Sequence, residues 1–162
     1  MFVDEINLTV LSGAGGSGSV SFKNTLTKSS PNGGSGGTGG SVKIKVNSDL
    51  HDLSHIISNS SLKAQNGSDG NKNYQNGKNG EDLDIEVPSG TQVFIENKLH
   101  ADLHEFGSTY TVIDGSRSGR GNSELISKRN PNPQICEQGQ KRQKLDIKLV
   151  YSIYSDLAII GL

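Results

Sequence analysis

Tryptophan is absent, aromatic residues amount to 5% and hydrophobic residues to only 31%. A core drawn from so little apolar surface is lean, and backbone hydrogen bonding has to supply part of what side-chain burial normally does. The single cysteine, Cys136, excludes an internal disulfide, suits a reducing compartment and reads as a spectator thiol. No apolar run is long enough to cross a membrane as a helix. Met1-Phe2-Val3-Asp4 does not open a signal peptide. A formal net charge of −1 gives nucleic acid no global attraction, so any such binding depends on local basic patches. Four prolines beside 21 glycines, in short and interrupted repeats, argue against collagen. What is left, across 162 residues, suffices for one domain with a modest core.

The most ordered feature is Gly33-Gly34-Ser35-Gly36-Gly37-Thr38-Gly39-Gly40, glycine pairs in strict three-residue register that stop at the alternating Val42-Lys43-Ile44-Lys45-Val46. Three residues is one turn of polyproline II helix, so two of its three faces carry no side chain and neighbouring chains can approach closely. A flexible linker needs glycine but no register. The spacing recurs at Gly13 and Gly16, at Gly15 and Gly18, at Gly67 and Gly70, and at Gly77 and Gly80, with a looser echo at Gly115, Gly119 and Gly121. The pattern predicts a bundle of packed extended helices rather than disordered low complexity, because patterned strands bracket every glycine-rich stretch.

Alternation predicts strands over 2–11, 42–46, 83–87, 91–96, 99–103 and 109–113, and a last one through Leu145, Ile147, Leu149 and Tyr151. Leu50, Leu53, Ile56 and Ile57 fall at helical spacing after Ser48-Asp49 and predict a short capped helix. The fold class is therefore mainly β. The terminal Asp156-Leu157-Ala158-Ile159-Ile160-Gly161-Leu162 does not alternate and reads as an apolar strand buried on both faces.

Catalytic constellations are not apparent. Gly77-Lys78 is followed by Asn79 and has no glycine five residues earlier, so it is not a phosphate loop. His51 and His55, like His100 and His104, are four apart, but without an acidic partner they read as solvated or capping histidines and no metal is expected. Asp69 lies among glycines and asparagines without the alternating acidic ligands of a calcium loop. Basic residues instead gather in the predicted loops: Lys23 and Lys28; Lys63, Lys72 and Lys78; and Arg117, Arg120, Lys128, Arg129, Lys141, Arg142 and Lys144. Loop lysines are ordinarily just solvated; held at the tips of a stiff bundle, they can meet the phosphates of a folded RNA.

Taken together, the opening Met1-Phe2-Val3-Asp4-Glu5, the segment from Gly13 to Val20-Ser21-Phe22, and the triplets from Pro31-Asn32 to Ser41-Val42 carry a family pattern. It continues in Asn76-Gly77-Lys78-Asn79-Gly80-Glu81-Asp82-Leu83, Val87-Pro88-Ser89-Gly90-Thr91, Arg117 with Gly119-Arg120-Gly121-Asn122-Ser123, and Asn130-Pro131-Asn132-Pro133-Gln134. This series resembles the amino-terminal domain of the Obg family of ribosome-assembly GTPases, also called CgtA, over essentially the whole chain. The resemblance implies the Obg fold: a small β-barrel or sandwich subdomain carrying six left-handed glycine-rich helices, as a domain over 1–155. It implies that 156–162 begins a GTPase domain, with Gly161 opening its phosphate loop, so that GTP and Mg2+ belong to the parent protein and no cofactor to this part of it. It also implies docking on the large ribosomal subunit, with loop tips on ribosomal RNA near the peptidyl-transferase centre.

The chain departs from the family where RNA contact is expected. Lys23-Asn24-Thr25-Leu26-Thr27-Lys28-Ser29-Ser30 stands where the family has a longer basic loop, Ile57-Ser58-Asn59-Ser60-Ser61 where it carries more basic and aromatic residues, and Glu124-Leu125-Ile126-Ser127 where it has small and aromatic ones. Central-segment aspartates are replaced by Ser35 and Ser41, read here as part of a thinning of RNA-facing charge. The residues expected at the RNA are Lys23, Lys28, Lys72, Lys78, Arg117, Arg120, Lys128 and Arg129. Those expected to be structural are Gly13, Gly16, Gly33, Gly34, Gly36, Gly37, Gly39, Gly40, Gly67, Gly70, Gly77 and Gly80. The functional expectation is a ribosome-binding, non-catalytic module of a GTPase, monomeric and cytoplasmic; an organellar setting follows if Met1 is not native. The alternative is a protein-interaction domain that kept the glycine bundle and lost RNA binding.

Overall fold

A computed structural model describes residues 4–152. The apolar stretch 156–162 with Gly161, and the opening Met1-Phe2-Val3, lie outside the described residues. The chain is mainly β, with strands β1 (Glu5–Leu11), β2 (Phe22–Asn24), β3 (Ser29–Pro31), β4 (Val42–Val46), β5 (Ser60–Lys63), β6 (Leu83–Val87), β7 (Thr91–Ile95), β8 (Lys98–Leu103), β9 (Thr109–Ile113) and β10 (Lys144–Tyr151). Helical structure among the described residues is one 3-10 turn, Asn122–Glu124.

Two open sheets share one core. The larger has the order β5-β1-β10-β7-β8 and the smaller β6-β4-β9; β2 and β3 form a separate hairpin. Among the described residues no sheet closes on itself, so of the barrel or sandwich expected from the resemblance the structure has an open sandwich. Alternation puts Ile6, Leu8 and Val10 of β1 opposite Leu149, Ile147 and Leu145 of β10. Val42, Ile44 and Val46 of β4 meet Leu83, Ile85 and Val87 of β6. These residues, with Val93, Leu103 and Ile113, form one apolar cluster between the sheets. Each fully buried Leu or Ile contributes about 1.5–3 kcal/mol. Glu96 and Asn97, both at positive φ, make the two-residue turn between β7 and β8.

The predicted helix around Leu50–Ile57 is absent. Asn47 Oδ1 accepts the Asp49 N–H at 3.0 Å and Asp52 Oδ1 the Ser54 N–H at 3.1 Å, so the polar side chains close local turns instead. The helical spacing arose because Leu53, fully buried, and the half-buried Ile56 both have to reach the core.

Six strands run directly into glycine-bearing stretches. On the larger sheet, neighbours β5, β1 and β10 continue into 64–71, 12–19 and 137–143. On the smaller, β6, β4 and β9 continue into 75–83, 33–41 and 114–122. Strand neighbours remain neighbours: Gly15 and Gly18 N–H donate to Gln140 and Glu137 O, Gly67 and Gly70 N–H to Ala14 and Ser17 O, and Gly77 and Gly80 N–H to Ser35 and Thr38 O. The two rows also bond to each other, which sheets cannot do. Gly13 and Gly16 N–H reach Gly40 and Gly37 O at 2.9 and 2.8 Å, and Gly34, Gly37 and Gly40 N–H reach Asn71, Ser68 and Gln65 O at 2.8 Å each. Donors recur every third residue, so successive amides turn toward different neighbours.

The glycines stand where chains touch. A Cβ on Gly13 or Gly16 would strike the Gln65 or Ser68 carbonyl, and one on Gly33, Gly36 or Gly39 the carbonyls of Ser19, Gly16 and Gly13. One on Gly34, Gly37 or Gly40 would strike those of Gln75, Lys78 and Glu81. For Gly67 and Gly70 the obstacles are Gly37 and Gly34, and for Gly77 and Gly80, Ser68 and Gln65.

Candidate nucleic-acid interface

Because every stretch leaves a sheet and its partner returns to one, the turns between them collect at the end away from the sandwich. This loop end consists of the β2–β3 hairpin, the turn at 72–74 and the long loop 123–136. Bonds at the top of the stretches hold it: Ser19 N–H donates to Gly34 O at 2.9 Å, and Asn71 N–H to Gln75 O at 2.8 Å.

Asn122 fastens the loops together. Fully buried, its Oδ1 accepts the Gly33 N–H at 2.8 Å and the Ser21 N–H at 3.4 Å. Its Nδ2 donates to Ser21 O at 3.0 Å and Pro133 O at 3.1 Å. One carboxamide thus ties the hairpin, the central glycine stretch and the long loop. Asn32, equally buried, donates from Nδ2 to Asn73 Oδ1 at 3.3 Å, while its own Oδ1 has no partner.

Of the expected RNA-contacting residues, the structure gathers Lys23 and Lys28 on the hairpin, Lys72 on the short turn, and Lys128 and Arg129 on the long loop, all exposed. Arg120 is close to this end but faces the Glu137 carboxylate in an ion pair that raises the guanidinium's pKa further. Its charge is therefore already partnered. Lys78 and Arg117 are exposed on the flanks, one and nearly two three-residue repeats below the turns. The loop end also exposes apolar side chains between the charges: Val20, Leu26, Tyr74, Ile126 and Ile135.

Ser35 and Ser41 do not belong to the expected thinning of RNA-facing charge. Their hydroxyls accept the Gly121 N–H at 3.0 Å and the Gly115 N–H at 2.9 Å. They turn toward a neighbouring stretch, so a change at these positions alters packing and not a surface offered to RNA.

One set of residues escaped the sequence reading. Asn66 and Asp69 accept the N–H groups of Ala14 and Ser17; Asn76, Asn79 and Asp82 accept those of Ser35, Thr38 and Ser41, all at 2.8 or 2.9 Å. Acceptors and donors both advance by three. The signal was legible: Asn or Asp recurs every third residue, each but Asp82 one residue before a glycine. Asp82 also meets Lys43 Nζ at 2.9 Å, and its carboxyl is held below the ordinary value by the Ser41 N–H and this lysine.

The other chemistry-bearing residues are scattered. His55 Nε2 bonds Glu86 O at 2.7 Å and His104 Nε2 meets Asp102 at 2.7 Å, on different elements. Among the described residues no three His, Cys, Asp or Glu side chains come together as metal ligands.

A lean open sandwich prolonged into glycine stretches, with the loops that join those stretches at one end, defines a scaffold for presenting loops. The sequence profile of the GTP1/OBG family matches residues 3–153, and the chain belongs to that family. The GTPase Obg of Nautilia profundicola is 38% identical over 167 residues, covering 99% of this chain and 46% of that protein. That of Geobacillus kaustophilus is 38% identical over 165 residues, covering 99% of this chain and 38% of that protein. That of Mycoplasmopsis agalactiae is 37% identical over 162 residues, with coverages of 99% and 38%. The chain spans less than half the length of these relatives.

Proposed function

We propose that this chain is the ribosome-binding domain of an Obg-type GTPase acting in large-subunit assembly, and that its loop end docks on ribosomal RNA near the peptidyl-transferase centre. The observation that carries the reading is the gathering of Lys23, Lys28, Lys72, Lys128 and Arg129 on three loops, the hairpin and the long loop fastened by Asn122 and the short turn by Asn32. Basic residues gathered on these loops give a chain of net charge −1 a local basic footprint without global attraction. The three-residue bonding repeat and the backbone of Gly121 (φ −73°, ψ 165°) support reading the stretches as a bundle of polyproline II helices. Such a bundle is a stiff spacer between the sandwich and the RNA. In the full protein, GTP and Mg2+ belong to a separate GTPase domain, and nucleotide state there governs docking. A cytoplasmic, monomeric protein fits this role.

Co-sedimentation with purified large and small ribosomal subunits across a salt series tests the reading. Binding to the large subunit alone, falling with a log–log slope of about −3.5 to −4.5 for five phosphate contacts, is the expected result. The exposed Leu26, Ile126 and Ile135 favour one alternative, a protein partner at the same end. Salt-independent binding, or none to a folded chain, would favour it.

A further inference from the structure

We infer that Tyr74 is a stacking platform for an unpaired base of the RNA target; this rests on the RNA-binding reading above. Asn73 and Tyr74 have φ of 58° and 57°, two consecutive left-handed residues. Gln75 N–H donates to Lys72 O at 3.3 Å and Asn71 N–H to Gln75 O at 2.8 Å, so these two residues are the tip of a two-residue hairpin turn. Such a turn takes asparagine then glycine, because at positive φ the Cβ of a bulky residue crowds its own carbonyl. Here a tyrosine holds the glycine place. Burial does not offset the strain: Tyr74 is 60% exposed and lies outside the apolar core.

The conformation is nonetheless held firmly. Tyr74 N–H donates to Asn32 O at 2.7 Å, and Asn32, 2% exposed, bonds Asn73 through its side chain. A strained residue persists when its surroundings fix it, and strain of this kind clusters where a side chain acts on a ligand. An exposed aromatic on a clamped turn tip, two residues from the exposed Lys72, combines a π face for a base with a cation for the adjoining phosphate. Stacking reads the face of a base and not its edge, so it selects unpaired nucleotides with little preference among them. A bilayer is the less suitable target, because Leu26, Tyr74 and Ile126 project from three separate loops with lysines between them.

Three variants test the assignment against wild type: Tyr74→Gly, Tyr74→Phe, and Tyr74→Trp, which gives the chain its only indole. Binding is measured on purified large subunits, and Tyr74→Trp fluorescence against single-stranded RNA, duplex RNA and anionic lipid vesicles. Glycine suits the positive φ, so Tyr74→Gly should melt no lower than wild type yet bind about ten-fold more weakly. Tyr74→Phe should bind as wild type does, and Tyr74→Trp should be quenched by single strands more than by duplexes. A Tyr74→Gly protein that binds like wild type, or an indole unquenched in the bound state, overturns the inference while leaving RNA binding intact. Quenching by vesicles and not by RNA overturns it in favour of lipid. A folded wild-type chain that binds no RNA removes the underlying reading, and stacking with it.

Discussion

The sandwich and the glycine stretches are made from the same runs of chain, yet they cohere by opposite means. Along β1, Ile6, Leu8 and Val10 fill the space between sheets; a few residues on, Gly13, Gly15, Gly16 and Gly18 leave none to fill. The first region is held by side-chain volume, the second by its absence. The difference also orders the stretches. Both 12–19 and 33–41 carry glycine in two registers, and these two make bonds to four neighbours each. The 64–71 and 75–83 stretches carry it in one register, with three and two neighbours. Glycine doublets mark the interior of the array.

The sharpest way to break this comparison is Gly36→Ala against Leu149→Ala. In the sandwich, truncating the fully buried Leu149 should cost about 3 kcal/mol and leave cooperative unfolding in urea. A single methyl on Gly36 meets the Gly16 backbone, which is itself hydrogen-bonded and cannot yield. The loss there should exceed about 4 kcal/mol or abolish folding. A Gly36→Ala protein more stable than Leu149→Ala would end the argument.

Asn122→Ala probes a smaller effect, expected at about 2–3 kcal/mol for buried groups left unpaired. Amide exchange should quicken in 20–34 and 123–136 while the strands keep their protection. Equal acceleration in the sheets would show that Asn122 does not act locally.

Smallest is Asp82→Asn. Asparagine can still accept the Ser41 N–H, as Asn76 and Asn79 do for Ser35 and Thr38, so what is lost is the carboxylate's charge on that bond and the exposed pair with Lys43, a small effect. Because the folded carboxyl titrates below its ordinary value near 3.8, its stabilisation is complete above that pH and disappears as pH falls through the folded value. Wild type and variant should therefore differ at pH 7 and converge in acid. Divergence on acidification would contradict the depressed pKa.

Much of this contrast was legible in the sequence because both regions are periodic. Alternation placed β4, β6 and β9 to the residue, and the triplets located the glycine stretches. Apart from the Asn and Asp acceptors, which are themselves periodic, what escaped was non-periodic or borrowed from elsewhere. β2, β3 and β5 are three or four residues long, too short to show alternation, and become strands through their partners rather than their own pattern. The 50–57 turns imitated helical spacing because Leu53 and Ile56 answer to a core that the sequence does not display. At the loop end the basic residues were visible, but their sorting was not: the neutralising Glu137 is 17 positions from Arg120, and the left-handed Tyr74 depends on Asn32.

The hydrogen bonds of the glycine amides also bear on chemical lifetime. Asn32-Gly33, Asn66-Gly67, Asn76-Gly77 and Asn79-Gly80 are the steps at which a glycine nitrogen most readily attacks the preceding carboxamide, closing a succinimide and expelling ammonia. In the folded chain each of these nitrogens is held away: the Gly33 N–H by Asn122 Oδ1, and those of Gly67, Gly77 and Gly80 by the carbonyls of Ala14, Ser35 and Thr38. The same contacts that close the array suppress its ageing, and each excursion to the unfolded state exposes four such steps to irreversible change.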